Sequence, residues 1–196
     1  MDKTLDYYAH NAEQFAADTG AVDFSSVQNR FLAKLQPGAS ILDLGCGSGR
    51  DTEAFLERGF AVTAADGSPE LCALAEARTG IPVRRMLFRE LDDCETYDGI
   101  WANASILHVS SAELPEIFRR VVTALKAGGV LYISFKYGTF EGDRNGRYYT
   151  DHTEETFAAF LTGFPELNVE EQWISGDVRP GRSAEKWLNT ILRKNG

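Results

Sequence analysis

The sequence predicts an α/β protein with a doubly wound sheet of seven strands and helices on both faces. Short apolar runs alternate along the chain with stretches of helical periodicity, the order typical of βαβ units. The run Ile41–Leu44 leads directly into a glycine-rich turn, and Val130–Phe135 is almost continuously apolar. The length of 196 residues suits a single domain, residues 1–196, with a full core.

Each element has its own signal in the sequence. Residues 4–35 show helical periodicity in two pieces, broken near Gly20. Ser68 followed by Pro69, the Ser110–Glu113 capping box and Thr153 mark the starts of three later helices. A further helix is predicted over 51–58. The predicted strands are 41–44, 60–65, 83–87, 97–102, 130–135, 169–174 and 187–192. Residues 136–152 are predicted to be an irregular loop.

Composition and charge restrict the class of protein. The formal net charge of −9 argues against binding nucleic acid or an anionic membrane with the whole surface. Cys46, Cys72 and Cys94 lack the spacing of metal ligands, and a sparse, odd set predicts reduced thiols and a cytoplasmic protein. Neither a signal peptide nor a transmembrane run is expected from the apolar pattern.

The segment Asp43–Gly49 combines a strand end, three glycines and the start of a helix. This arrangement forms a nucleotide-binding corner. The dinucleotide fingerprint would need its third glycine at position 50, which is Arg50. A carboxylate at Asp43 would repel a pyrophosphate and attract a ligand that carries ammonium and sulfonium groups. The alternative is a glycine turn that binds nothing.

These residues resemble motif I of the class I S-adenosylmethionine-dependent methyltransferases, acidic-x-Gly-x-Gly-x-Gly, at every position from Asp43 to Gly49. The corner at 125–131 also resembles the family, and the likeness spans roughly 40–192. Small single-domain members, including the tellurite-resistance type, are the most similar. The resemblance implies a Rossmann-like sheet of order 3-2-1-4-5-7-6 with strand 7 antiparallel. It also implies a helical cap over the cofactor site, residues 1–36.

The resemblance implies S-adenosyl-L-methionine as cofactor and a small molecule as methyl acceptor. Asp66 lies 66 − 45 = 21 residues after Gly45, which suits a carboxylate that binds ribose hydroxyls. The family's acidic residue for adenine is absent at Leu87, so we expect Phe88 to stack on the base. The predicted cofactor-binding residues are Asp43, Gly45, Cys46, Gly47, Asp66, Gly67, Phe88 and Asn103.

The end of the fourth strand, from Asn103 to His108, is expected beside the reactive methyl group, because ligands bind at the carboxyl ends of strands. His108 and Asn103 are the predicted catalytic residues. His108 suits a general base near neutral pH. The alternative is a histidine that packs over the cofactor or bonds to the backbone.

Cations and aromatic residues gather in two distant segments, 136–148 and 177–182. Arginine suits the bidentate recognition of carboxylate or phosphate. We therefore expect these segments to form a lid over an anionic small molecule. The alternative is that the arginines pair with surface glutamates. The predicted substrate residues are Tyr148, Arg147, Arg179 and Arg182.

Other functions stay open at this point. Arginines in an acidic chain also suit methylation of an RNA or a modified nucleotide. A nicotinamide-dependent oxidoreductase is disfavoured by Arg50 and Asp43, and a non-catalytic module that binds S-adenosylmethionine is a further alternative. The sequence specifies neither the acceptor atom nor the oligomeric state, and it predicts no metal site.

Overall fold

The computed structural model describes residues 3–179, 181–182 and 184–196. The α-helices in these ranges are Lys3–Thr19 (α1), Ser25–Leu32 (α2), Arg50–Glu57 (α3), Pro69–Thr79 (α4), Leu114–Ala124 (α5) and Glu154–Leu161 (α6). The strands are Ser40–Leu44 (β1), Ala61–Asp66 (β2), Val83–Arg85 (β3), Tyr97–Ala102 (β4), Leu125–Lys136 (β5), Glu141–Arg144 (β6), Arg147–Thr150 (β7), Leu167–Gly176 (β8) and Lys186–Lys194 (β9). Short 3-10 turns lie at Phe88–Glu90 and Ile106–His108.

The large sheet has seven strands in the order β3-β2-β1-β4-β5-β9-β8. The first five are mutually parallel, and β9 runs antiparallel to both β5 and β8. The predicted fold and strand order are thereby confirmed, with β9 as the antiparallel seventh strand. The third strand ends at Arg85 rather than at Leu87, because Leu87 leads into the 3-10 turn.

The segment after β5 differs from the predicted irregular loop. It contains a second, two-stranded sheet, the antiparallel hairpin β6–β7. Asn145 adopts a positive φ of 52° and Gly146 one of 81° at its turn. Positive φ at both central positions matches the twist of a tight hairpin, and Asn-Gly is its commonest sequence. The Asn-Gly signal was present in the sequence.

The core lies on both faces of β4 and β5, whose side chains alternate between the two layers. On one face, Trp101 stacks on Tyr132 with ring centroids 4.0 Å apart, and Phe31 and Phe55 pack against Trp101. The other face buries the apolar stripe of α5, including Phe118. Because both faces are filled, the sheet is a rigid platform for its carboxyl edge.

Helix α1 lies across that carboxyl edge and contacts both α4 and β7. Thr4 Oγ1 accepts the backbone N–H of Tyr148 at 3.1 Å, and Lys3 pairs with Asp143 at 2.7 Å. Helix α1 thereby reaches the hairpin. None of the helices in the described ranges is both long enough and apolar enough to span a membrane.

Strand β1 is tied to helix α3 by a buried carboxyl group. Asp43 is 2% exposed, and its carboxyl accepts the hydroxyl hydrogen of Thr52 at 2.6 Å. Burial, together with the nearby charge of Asp51, raises the pKa of Asp43 to about 8. The folded protein therefore holds a proton on Asp43 that the unfolded chain releases near pH 3.9, the ordinary value for aspartate.

This difference predicts a pH dependence of stability. The contribution of Asp43 is fully present below pH 4 and is lost as the pH rises toward about 8. Between pH 5 and pH 8, we expect the unfolding free energy of the ligand-free wild type to fall by at least about 1.4 kcal/mol more than that of Asp43→Asn, the equivalent of one pKa unit. Urea denaturation at the two pH values measures the difference.

Asp98→Asn is the matched control. Burial opposes ionisation of Asp98, but bonds from Lys126 and Ser40 hold its pKa below the usual value. Its contribution is therefore lost only in acid, and this variant should follow the wild type from pH 5 to pH 8. Equal slopes for the wild type and Asp43→Asn would contradict the neutral Asp43.

Candidate functional site

One cavity of about 870 Å³ runs along the carboxyl ends of β1, β2, β4 and β5. The glycine loop, residues 45–49, lines one end of the cavity. The β6–β7 hairpin and the turn between β8 and β9 line the other end. Helix α1 borders it between these two ends. This is the edge at which open α/β sheets bind their ligands.

The glycine loop presents bare backbone to the cavity. Gly45 has a φ of 80°, and a Cβ atom there would lie 2.4 Å from Cβ of Ser105. Gly47 has a φ of 57°, and its Cβ atom would lie 3.2 Å from the ring of Phe15 in α1. A side chain is therefore strained at both positions by the backbone conformation, and it would also clash with Ser105 at Gly45 and press on the Phe15 ring at Gly47.

Asp66 ends β2 and lies in the cavity wall. Its carboxylate accepts the backbone N–H groups of Gly47 and Ser68, each at 2.9 Å. Burial raises the pKa of Asp66, although these backbone donors favour the charged form. The carboxylate has further lone pairs for donors on a ligand.

Asp51 is a site residue that the sequence did not reveal. Its buried carboxylate accepts hydrogen bonds from Trp101 Nε1 at 2.9 Å, Asn103 Nδ2 at 3.1 Å and Gln28 Nε2 at 2.7 Å. Burial opposes ionisation, but the charge and hydrogen bonds of Arg50 hold the pKa of Asp51 below its usual value. No sequence motif marks this position, since its donors come from three separate segments, at Gln28, Arg50 and 101–103.

Asn103 and its neighbours form a turn at the end of β4. Asn103 Oδ1 accepts from Ser134 Oγ at 3.1 Å, and the N–H of Ala104 donates to the same hydroxyl at 2.8 Å. Ala104 has a φ of 51°, a conformation unusual for alanine. Ser105 Oγ donates to the carbonyl of Leu44 at 2.6 Å. These bonds fix the turn against the cavity.

The His108 ring bridges the hairpin and α1. Its Nδ1 lies 2.6 Å from the carbonyl oxygen of Tyr148, so Nδ1 carries the hydrogen. Nε2 then serves as an acceptor and lies 3.3 Å from the hydroxyl of Tyr8. The backbone contact weighed in the sequence analysis is present, and it fixes the tautomer in which Nε2 is the acceptor nitrogen of the ring.

Most of the predicted site residues line this cavity. These are His108, Asn103, Gly45, Cys46, Gly47, Asp66, Gly67, Phe88, Arg147, Arg179 and Arg182. Asp43 does not: its carboxyl faces Thr52 and supports the loop from behind. The side chain of Tyr148 also differs from the prediction, because its hydroxyl donates to Glu141 at 2.8 Å on the outer side of the hairpin.

The segments 136–148 and 177–182 contain five cations, and four of them are paired with carboxylates. Arg179 forms a fork on Asp177 at 2.9 and 2.6 Å. The remaining three pairs are Lys136 with Asp177 and Glu185, Arg182 with Glu185, and Arg144 with Asp151. These four cations are therefore paired, but two of the three partners, Asp151 and Asp177, are buried aspartates rather than surface glutamates, and all three partners line the cavity.

Arg147 is the exception. It lines the cavity, and no carboxylate in the described part of the chain lies within 4.0 Å of it. Its guanidinium carbon stacks over Tyr7 at 4.5 Å from the ring centroid, and Nη1 donates to Tyr8 Oη at 3.3 Å. Nε is buried without a hydrogen-bond partner among the described residues.

Comparison with known proteins agrees with this geometry. Residues 41–129 match a family model described as a methyltransferase domain. The chain is 32% identical over 105 residues to a ubiquinone biosynthesis O-methyltransferase of Xanthomonas campestris pv. campestris (strain B100), covering 50% of this chain and 43% of that protein. It is 36% identical over 108 residues to a trans-aconitate 2-methyltransferase of Variovorax paradoxus (strain S110), covering 50% and 39%.

The chain spans less than half the length of these curated relatives. Among solved structures, it resembles a 1,6-didemethyltoxoflavin-N1-methyltransferase of Burkholderia thailandensis with bound 1,6-didemethyltoxoflavin and S-adenosylhomocysteine. The TM-score is 0.78 at 26% identity, covering 97% of this chain and 85% of that one. The glycine motif, the strand order and these likenesses together support the class I S-adenosylmethionine-dependent methyltransferase superfamily, and the match to the family model covers residues 41–129.

Proposed function

We propose that this protein transfers the methyl group of S-adenosylmethionine to a small acceptor that carries an anionic group. The observation that carries the proposal is the single cavity that joins the glycine loop to the cationic hairpin end. Ligand pockets commonly hold about 300–1,000 Å³. This cavity lies toward the upper end of that range, which suits a cofactor and a small acceptor side by side.

The glycine-loop end fits the cofactor on its own geometry. Gly45 and Gly47 line the cavity with backbone alone, and Asp66 offers carboxylate lone pairs to ribose hydroxyls. Phe88 provides an aromatic ring in the same wall for the base. Helix α1 serves as the cap, since Phe15 lies over Gly47.

When bound, the cofactor supplies an electrophilic methyl group on a sulfonium centre. The chain supplies position: the turn at Asn103, fixed by Ser134 and Asp51, sets the wall beside the reacting atoms. His108 Nε2 is the atom that accepts the acceptor's proton, because Nδ1–H is held by the Tyr148 carbonyl. Tyr8 occupies that lone pair in the absence of an acceptor.

The relatives support a small acceptor. The Burkholderia thailandensis protein is named for a small molecule and holds it beside S-adenosylhomocysteine. The Variovorax paradoxus relative is named for trans-aconitate. In this chain, Arg147 lines the cavity without a carboxylate partner among the described residues, and its positive charge favours an anion.

Turnover tests the proposal. The protein is incubated with methyl-labelled S-adenosylmethionine and an extract separated into small-molecule and RNA fractions. We expect label in the small-molecule fraction together with S-adenosylhomocysteine. Label in RNA, with binding that weakens steeply as salt rises, would instead support the nucleotide alternative. Cofactor binding without any turnover would support a non-catalytic module.

Asp66→Ala tests the cofactor end. The substitution leaves ribose hydroxyls without a charged acceptor, and such a hydrogen bond contributes about 1.5–3 kcal/mol. We expect at least tenfold weaker binding of S-adenosylhomocysteine by calorimetry, with the fold intact. Asp98→Ala is the control, because Asp98 accepts the N–H of Ser40 away from the cavity. Unchanged affinity in Asp66→Ala would exclude the ribose role.

Gly47→Val tests the bare backbone. A valine at a φ of 57° is strained, and its Cβ atom meets the ring of Phe15. We expect the thermal shift with S-adenosylhomocysteine to disappear. Gly59→Val is the matched control: its φ is 82°, but nothing lies within 4 Å of the added Cβ. Gly59→Val should lose a similar amount of unfolding free energy, about 1–2 kcal/mol, and keep the thermal shift with S-adenosylhomocysteine. A full thermal shift with S-adenosylhomocysteine in Gly47→Val would contradict the assignment of the glycine loop to the cofactor.

A further inference from the structure

Two polar atoms in the cavity wall lack hydrogen-bond partners among the described residues, Arg147 Nε and Asp151 Oδ1. The two other buried atoms of this kind belong to Arg120 and His152, which do not line the cavity. Buried polar atoms are nearly always paired, and leaving one unpaired costs about 1–3 kcal/mol. Two such atoms in one wall therefore mark places for groups of a ligand.

Asp151 offers a fixed acceptor. Its side chain is 5% exposed, and Oδ2 is bound by Arg144 Nη2 at 2.8 Å, which leaves Oδ1 free. The backbone N–H of Asp151 donates to the carbonyl of Phe140 at 2.8 Å, so the residue is held at its base as well. A carboxylate oxygen only accepts hydrogen bonds. The complementary ligand group is an N–H or O–H donor.

Arg147 offers an uncompensated positive charge. Its tyrosine neighbours hold it in place: the guanidinium carbon lies 4.5 Å from the ring centroid of Tyr7 and 5.4 Å from that of Tyr149. Nη1 contacts Tyr8, while Nε stays unpaired. A planar guanidinium with a free edge binds carboxylate or phosphate oxygens. The complementary ligand group is an anion.

Tyr149 brings the two atoms into one compartment. Its ring lies 5.1 Å from the guanidinium carbon of Arg144, the partner of Asp151, and 5.4 Å from that of Arg147. The same ring packs edge-on against His108 at 4.8 Å between centroids. Burial raises the pKa of Tyr149 to about 12, so its hydroxyl is neutral and the ring is an uncharged wall.

We infer that the acceptor is a small aromatic acid with a separate N–H or O–H donor, whose acid group binds Arg147 and whose donor binds Asp151. The inference rests on the proposed function, because it assigns the acceptor end of the same cavity. An aromatic body is favoured because tyrosine rings form the wall between the two polar positions.

The test uses the protein saturated with S-adenosylhomocysteine and calorimetry with matched probes. The full probes are the 3- and 4-hydroxybenzoates and the corresponding aminobenzoates. Benzoate lacks the donor, and the methyl ester of each full probe lacks the anion. We expect at least one full probe to bind at least tenfold more tightly than benzoate and than its own ester.

Two variants separate the two contacts. Arg147→Met should remove the preference for the acid over its ester and keep the preference for a donor. Asp151→Asn should remove the preference for a donor and keep the preference for the acid over its ester. The reason is that the amide oxygen stays with Arg144 and the NH₂ group faces the cavity. The controls are Arg119→Met, an exposed arginine, and Asp143→Asn, an aspartate of the same hairpin that pairs with Lys3. Both should keep the wild-type preferences.

Failure of the inference is distinguishable from failure of the proposed function. If the wild type does not bind S-adenosylhomocysteine, the proposed function falls. Only this inference is overturned if the wild type binds S-adenosylhomocysteine but no full probe binds. The same holds if the two variants retain both the preference for the acid and the preference for a donor. Should Arg147→Met not fold, Arg147→Lys must still weaken the preference for the acid, because it loses Nε and the planar fork.

Discussion

The glycine loop depends on three backbone N–H groups that are bound by the end of β2. Gly45 and Cys46 donate to the carbonyl of Ala65 at 2.8 and 3.0 Å, and Gly47 donates to the Asp66 carboxylate at 2.9 Å. These bonds continue the β1–β2 pairing beyond the strands and hold the loop in its left-handed turns. Asp66 therefore holds the loop as well as lining the cavity, and the cavity takes its shape from that link.

The sequence predicted the scaffold well because periodicity and end signals are local. The apolar run at 41–44, the Ser68 cap and the glycine after α4 each determine an element without reference to distant residues. The strand order came from resemblance, and the paired strands confirm it. Asp66 also followed from spacing, since the length of one βα unit sets its distance from the glycines.

The rest of the site depends on contacts between distant segments. Asp51 stands at an ordinary helix position, and its importance arises only when Gln28, Trp101 and Asn103 converge on it. The orientation of Asp43 depends on Thr52, a partner that spacing does not single out. Charge counting showed that cations gather near the cavity, but only side-chain geometry separates the paired arginines from Arg147.

Helix α1 contacts both ends of the cavity, but it is weakly anchored to the rest of the fold. It fully buries only Thr4 and Ala12 among its described side chains, whereas α5 buries six of its residues. An element with so little buried apolar surface opens at a free energy well below that of global unfolding. We expect its amide hydrogens to exchange before those of α5, and such an opening would uncover the Phe15 contact with the glycine loop and the Tyr7 contact with the hairpin together. Local opening of α1 would therefore expose both ends of the cavity to solvent at the same time.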